Sequence, residues 1–253
     1  MREQVLITGG AGSLGRAFIG LLHQDHDLTI IDNSEWAIAE LRKEYPNINC
    51  ILGDFADWRF AENPASMLIH LAAYKHVEIG EENVEAFISN NIYKTQILFN
   101  EASRFGTDIL FVSTDKAVEP CSLYGYTKAI GERLSRCYGG SVARLGNILS
   151  SSGSVIPVWE KAIERGAPVP ITDERMVRYF IEDFEAANYI WHEFLKGEKL
   201  IIPPCQEIRM LDLLAMVLKR HGYKKVQDYK PGVHIIGMRP GEKLKEKLKW
   251  EEE

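Results

Sequence analysis

Gln4-Val-Leu-Ile-Thr8 runs directly into Gly9-Gly-Ala-Gly-Ser-Leu-Gly15, and an apolar helical pattern follows over residues 16–23. The order predicts a strand, a glycine turn and a helix. Glycines 9, 12 and 15 have separate tasks in such a turn. They permit the tight reversal, let the backbone approach a pyrophosphate, and let the helix pack close to the strand. The helix N-terminus then faces the phosphates, which makes Gly9, Gly12, Ser13, Leu14 and Gly15 the candidate phosphate-binding residues. The spacing is G-x-x-G-x-x-G, and a glycine-rich turn alone also punctuates ordinary loops. Here a second apolar run, residues 28–31, follows and ends in Asp32, where an acid would hold a ribose hydroxyl. Asp32 and Asn33, with no arginine directly after them, favour NAD over NADP, because a carboxylate repels a 2′-phosphate. NADP is the alternative, and a solvated turn is the bland reading of Asp32.

Working outward, short apolar runs alternate with longer amphipathic ones. Strands are expected near residues 50–52, 67–71, 109–112 and 141–145, with helices over 84–105 and 124–138. That alternation predicts an α/β protein with a doubly wound parallel sheet. Residues 1–150 would form the dinucleotide-binding domain. After residue 150, Gly153, Pro157, Gly166, Pro168, Pro170, Pro203 and Pro204 divide the chain into shorter pieces, with helices near 184–196 and 210–221. Residues 151–253 are expected to form a small, partly discontinuous substrate lobe, ending in a frayed Glu251-Glu-Glu253.

The composition agrees with an enzyme of a reducing compartment. The chain has 253 residues, 45% of them hydrophobic, enough to bury a full core. A net charge of −6 offers no footprint for nucleic acid or an anionic membrane. No apolar run approaches the roughly 18 residues a membrane span needs, and the first strand begins too early for a leader peptide. A cytoplasmic protein is expected. The four cysteines (50, 121, 137 and 205) show no C-x-x-C spacing, and Cys50 and Cys137 fall in apolar or helical patterns typical of buried thiols. The seven histidines form no metal-ligand spacing.

The chemistry is concentrated in Val112-Ser-Thr-Asp-Lys-Ala-Val118 and Tyr124-Gly-Tyr-Thr-Lys128. Tyr124 and Lys128 stand four apart on a helix and share a face, so an ammonium beside the phenol would lower its pKa and make it a base toward a hydroxyl. Y-x-x-x-K is also common on exposed helices. It gains weight from Ser113-Thr114, placed at the carboxyl end of a strand, where doubly wound folds bind ligands and Thr114 could bond the same hydroxyl.

With these motifs in view, the chain resembles the extended short-chain dehydrogenases/reductases, and more narrowly the UDP-N-acetylglucosamine 4,6-dehydratases. The likeness runs nearly end to end: Gly53-Asp54, His70-Leu-Ala-Ala-Tyr-Lys-His-Val77, Asn91-Ile92, Ser113-Thr-Asp-Lys-Ala117, Leu123-Tyr-Gly-Tyr-Thr-Lys128, Arg144-Leu-Gly-Asn147, Gly153-Ser-Val-Ile-Pro157, Ile171-Thr-Asp173 with Arg175 and Arg178, and Arg239-Pro-Gly-Glu-Lys-Leu244. The resemblance implies a tightly bound NAD contacted also by Asp54, Phe55, Leu71, Ala72, Ala73, Lys75 and Asn91. It implies a UDP-sugar held by Lys75, Asn147, Val155, Thr172, Arg178, Arg239 and Glu242, and a homo-oligomer. It further implies catalysis by Thr114, Asp115, Lys116, Tyr124 and Lys128. Tyr124 would take the 4-hydroxyl proton. Lys116, made neutral by burial near Lys128, would take the C5 proton, and Asp115, with a raised pKa, would protonate the departing 6-hydroxyl. The family pattern commonly has tyrosine at Leu145, glycine at Lys94 and threonine at Val177. Two other readings stay open. A nucleotide-sugar 4-epimerase needs Tyr124 and Lys128 but gives Asp115-Lys116 no task. A non-catalytic dinucleotide sensor needs none of the proton chemistry.

Overall fold

The computed structural model describes residues 2–149 and 154–250. Gly153 and Glu251–Glu253, singled out above, lie outside the described residues. Strands β1 (Gln4–Thr8), β2 (Asp27–Asp32), β3 (Asn49–Leu52), β4 (Met67–His70), β5 (Asp108–Thr114) and β6 (Ser141–Leu145) pair in parallel in the order β3-β2-β1-β4-β5-β6. Their side chains alternate between two covered faces. Val5, Ile7, Ile69, Leu110 and Val112 join one core, while Leu6, Leu68, Ile109 and Phe111 join the other. The strand order reverses between β1 and β4, so a crevice opens at the carboxyl ends of β1, β4 and β5.

Helices α1 (Ser13–Leu22), α2 (Glu35–Glu44), α3 (Val77–Glu82), α4 (Val84–Ile88), α5 (Thr95–Arg104) and α6 (Leu123–Cys137) cover this sheet. Helix α2 buries only Ile38 and Leu41, too thin a stripe to stand out as periodicity. Its start is set instead by Ser34, whose hydroxyl accepts from Ala37 N at 3.3 Å. The single helix expected over 84–105 is interrupted by a π-helical turn, Ser89–Lys94. This wider turn carries the buried Asn90 and Asn91. Cys50 is buried, but Cys137, at the end of α6, is exposed, and all four thiols are free.

The second half divides. Among β7 (Asn147–Ile148), α7 (Val155–Glu164), β8 (Val169–Ile171), β9 (Val177–Ile181), α8 (Asp183–Leu195), β10 (Leu200–Ile201), β11 (Gln206–Arg209), α9 (Met210–Arg220) and β12 (Val233–Ile235), two elements return to the first domain. Strand β10 pairs in parallel with β6 as the seventh strand of the sheet, and α8 packs on α1. Ala186, Ala187, Ile190 and Trp191 thereby share a core with Phe18, Ile19 and Leu22. The remaining elements build their own cluster around Trp159, Leu214 and Val217, with a three-stranded sheet, β11-β9-β7, and the pair β12-β8.

Candidate active site

The glycine turn leaves no room for side chains at Gly9 and Gly15. Gly9 has φ +69°, and a Cβ there would stand 2.7 Å from Ala72 N; a Cβ on Gly15 would stand 2.4 Å from Gly10 O. Gly12, by contrast, meets only Gly9 O at 3.4 Å. It caps α1 with no side-chain hydrogen bond, and the first turn holds no acid. The donor groups of this helix end therefore face the crevice without a carboxylate competing for them, an arrangement that fits a pyrophosphate. Gly15→Ala should weaken nicotinamide dinucleotide binding by about 100-fold in calorimetric titration, because backbone must shift against backbone. Wild-type affinity in that variant would refute the fit.

Asp32 ends β2 and braces the turn. Its carboxylate accepts from Ala11 N at 3.2 Å and Ser34 N at 3.0 Å, while Asn33 is exposed beside it. Three residues expected at the cofactor have contacts of their own within the protein. Asn91 uses all four of its side-chain hydrogen-bonding positions within the protein: it bonds Tyr74 N and O, Asn90 and Thr127. It is a clamp between the loop after β4 and α6. Phe55 is core, edge-on to His70. Asp54 is ion-paired with Lys94 and accepts from Ala56 N at 3.0 Å, so the lysine that replaces the usual glycine occupies this carboxylate. Leu71, Ala73 and Lys75 do line the cleft, and desolvation there pushes the Lys75 ammonium toward its neutral form.

The cleft measures about 560 Å³. One wall carries Gly12, Thr114, Lys116, Tyr124 and Lys128. The opposite wall, from the second cluster, carries Asn147, Val155, Thr172 and Arg178, with Arg239 and Glu242 from the segment beyond β12. Asn147 Nδ2 donates to Tyr179 O at 3.1 Å. Arg178 is buried, with Nη1 on the carbonyls of Val177 and Leu244, whereas Arg175 is a solvated partner of Asp173. Arg239 pairs with Glu78 at 2.6 Å at the rim, and Glu242 accepts from Arg239 N at 2.9 Å.

The carboxyl end of β5 is organised by short local bonds. Thr114 caps the 3₁₀ turn Asp115–Ala117 and donates to Asp115 Oδ1 at 2.9 Å, and Lys116 Nζ donates to the same oxygen at 3.0 Å. Asp115 is fully buried, and its Oδ2 has no hydrogen-bond partner. Ser122 starts α6 by accepting from Gly125 N, and a Cβ on Gly125 would stand 2.4 Å from Lys116 O. The helix can therefore press Tyr124 and Lys128 against the Asp115-Lys116 turn.

The electrostatics differ from the simple expectation that Lys128 acidifies Tyr124. Burial, and after it the Asp115 charge, push the phenol well above its ordinary value, and the Thr114 hydrogen bond only partly opposes them. Burial also draws Lys128 down to about 7, against the pull of Glu132. Its Nζ lies 4.2 Å from the centre of the Phe111 ring. Lys116 is set between two carboxylates: Asp115, and Glu246 Oε1 at 4.0 Å.

Two groups escaped the sequence reading. Glu132, one turn beyond Lys128, accepts from Ser113 at 2.6 Å and from Arg144 at 3.0 and 2.7 Å, forming a buried ion pair beneath the end of β5. Its i+4 spacing from Lys128 was the available signal. Glu246 sits between two exposed lysines and reads as part of a solvated charge run. Among the described residues, no cluster of His, Cys, Asp or Glu is placed to hold a metal, and no helix is long and apolar enough to cross a membrane.

A seven-stranded parallel sheet, a phosphate-sized glycine turn and a Thr-Tyr-Lys wall define an extended short-chain dehydrogenase/reductase fold. Residues 5–253 match the family of polysaccharide biosynthesis proteins, and the chain belongs to that family. It is 35% identical to an uncharacterized membrane protein of Methanocaldococcus jannaschii, over 99% of this chain and 81% of the relative. It is 31% identical to an inverting UDP-N-acetylglucosamine 4,6-dehydratase of Campylobacter jejuni, over 97% and 77% of the two chains. Among solved structures, Pen from Bacillus thuringiensis superposes with a TM-score of 0.87 at 27% identity, covering 97% of this chain and 83% of Pen.

Proposed function

We propose that the protein is a nucleotide-sugar 4,6-dehydratase acting on UDP-N-acetylglucosamine with bound NAD. The observation that carries this reading is the Asp115-Lys116 pair at the end of β5, within one hydrogen-bonded group with Thr114. A 4-epimerase would have no task for it. A bound nicotinamide dinucleotide supplies the hydride acceptor for C4 and the hydride donor for C6. Tyr124 accepts the 4-hydroxyl proton, and Thr114 orients that hydroxyl. The resulting 4-ketone acidifies C5, Lys116 takes the C5 proton, Asp115 gives its proton to the 6-hydroxyl, which departs as water, and a solvent-exchangeable proton returns to C5 as C6 is reduced. Asp115 Oδ2 is the oxygen available to carry that proton, since Oδ1 is already engaged. Arg178 and Arg239 would face the diphosphate, with Asn147, Val155, Thr172 and Glu242 along the nucleoside and sugar.

Incubation with UDP-N-acetylglucosamine in deuterated water tests the reading by proton NMR and mass spectrometry. Loss of water with deuterium at C5 is expected. A sugar inverted only at C4 would make the epimerase the better reading, and an unchanged sugar would remove the proposed substrate. In Lys116→Ala, dinucleotide binding should persist while C5 deuteration falls by about 10³-fold, within the range of general base catalysis. Undiminished water loss would show that another group is the base.

A further inference from the structure

The segment after Arg239-Pro-Gly-Glu242 lies across the catalytic turn and is tied to it at three points. Lys243 Nζ donates to Val118 O at 2.8 Å, Lys247 Nζ donates to Glu119 Oε1 at 2.6 Å, and Glu246 Oε1 stands 4.0 Å from Lys116 Nζ. The other side of the segment is anchored independently. Leu244 O accepts from Val177 N at 2.9 Å, and Leu248 O accepts from Arg144 Nη1 at 2.9 Å. The turn it holds ends in Glu119, a non-glycine residue at φ +46°, a conformation that persists only where its surroundings enforce it.

Glu246 differs from its neighbours along this strap. Lys245 and Lys247 have side chains 53% and 45% exposed and pair with exposed Glu207 and Glu119, whereas the Glu246 side chain is 2% exposed. A carboxylate taken out of water needs cations, and among the described residues it has Lys116 and Lys243, the latter with Nζ 3.3 Å from Oε2. Oε2 makes no hydrogen bond, so this burial does not serve a packed polar network. It places a negative charge beside Lys116.

We propose that Glu246 is a positioning residue for Lys116, holding the amine toward the cleft and stabilising the ammonium formed when it takes a proton from carbon. The inference rests on the assignment of Lys116 as the C5 base. When the C5–H bond breaks, its proton forms a new N–H bond and the electron pair stays on the sugar. Asp115 cannot alone stabilise that ammonium at the start of the step, because it must then still hold the proton destined for the 6-hydroxyl. Glu246 supplies the second carboxylate.

The test compares Glu246→Gln and Glu246→Asp with wild type, with Glu207→Gln as the control for an exposed pair on the same strap. In the deuterium assay, Glu246→Gln should lower kcat by about 30-fold with KM within about twofold, the pattern of an interaction made after binding, and Glu246→Asp should recover part of the loss. A second readout needs no sugar: the rate at which acetic anhydride labels Lys116, relative to Lys245 in the same sample. Removing a carboxylate favours the unprotonated, reactive amine, so Lys116 labelling should rise by about threefold or more in Glu246→Gln. Unchanged labelling would overturn the proposal, as would wild-type kcat in Glu246→Gln. Should wild type itself fail to eliminate water, the functional reading falls, while the labelling ratio still decides whether Glu246 controls Lys116. If Glu246→Gln does not fold, Glu246→Asp carries both readouts: intermediate kcat and labelling support the proposal, and wild-type values overturn it.

Discussion

Tyr124→Phe is expected to lower turnover by about 10³-fold, near the middle of the range for positioned proton transfer, with dinucleotide affinity changed by less than about threefold. The phenol hydroxyl bonds Thr114, and Tyr124 lines the cleft with Lys128, so its removal takes away the group that would accept the substrate proton. The ring remains to fill the same space, so thermal unfolding should barely move. A variant that kept turnover within about tenfold of wild type would show that the proton leaves by another route. The environment also explains why the whole wall matters. Burial opposes the phenolate, as does Asp115 whenever its carboxyl is ionised, and Lys128, drawn down to about 7, supplies only part of a positive charge near neutral pH. Turnover should therefore depend on the groups that set the Lys128 charge as well as on Tyr124.

The second large effect is expected at Glu132. Glu132→Ala should destabilise the protein by about 3–5 kcal/mol in urea unfolding, because it removes the carboxylate that the fully buried Arg144 meets at 2.7 Å. It also removes the acceptor of Ser113 and the charge that supports Lys128. Replacing Glu132→Leu together with Arg144→Met should recover most of that loss, since the cost lies in keeping the buried guanidinium after the Glu132 carboxylate is gone rather than in the absence of the pair. A single variant within about 1 kcal/mol of wild type would mean that water reaches Arg144 and solvates it.

The sheet was readable from local pattern because its information is local. Val5, Leu6 and Ile7 alternate between two buried faces, and the glycine turn follows at once, although the close approach at Gly9 is to Ala72 in the loop after β4. The Thr114, Tyr124 and Lys128 wall was readable for the same reason, since one strand end and one helix turn carry it. The clamp made by Asn91 was not legible because an amide that binds a ligand and one that ties two loops together have the same sequence signature. Only the positions of Tyr74 and Thr127 tell them apart. Helix α2 was passed over because a cap, rather than an apolar stripe, defines it. The strand β10 and Glu246 were out of reach for a different reason. Each acquires its role from a partner in the other half of the chain, and a two-residue strand or a glutamate between lysines has no periodicity to announce it. Lys128 shows the same limit in charge: helical spacing places it beside Tyr124, but burial depth sets its protonation.

Phe111 draws core and chemistry into one side chain. Its ring packs against Phe99 and stacks on His70, it lies so close to α6 that a Cβ on Gly131 would stand 2.4 Å from it, and Lys128 rests on its face. A leucine there would keep a hydrophobic interior yet remove the aromatic face that the ammonium meets. Variation at this position is consequently filtered twice, once by folding and once by the electrical surroundings of a lysine it never bonds. Sequence drift in the hydrophobic interior of such a protein is thus a means of retuning its proton chemistry without touching any residue that meets the substrate.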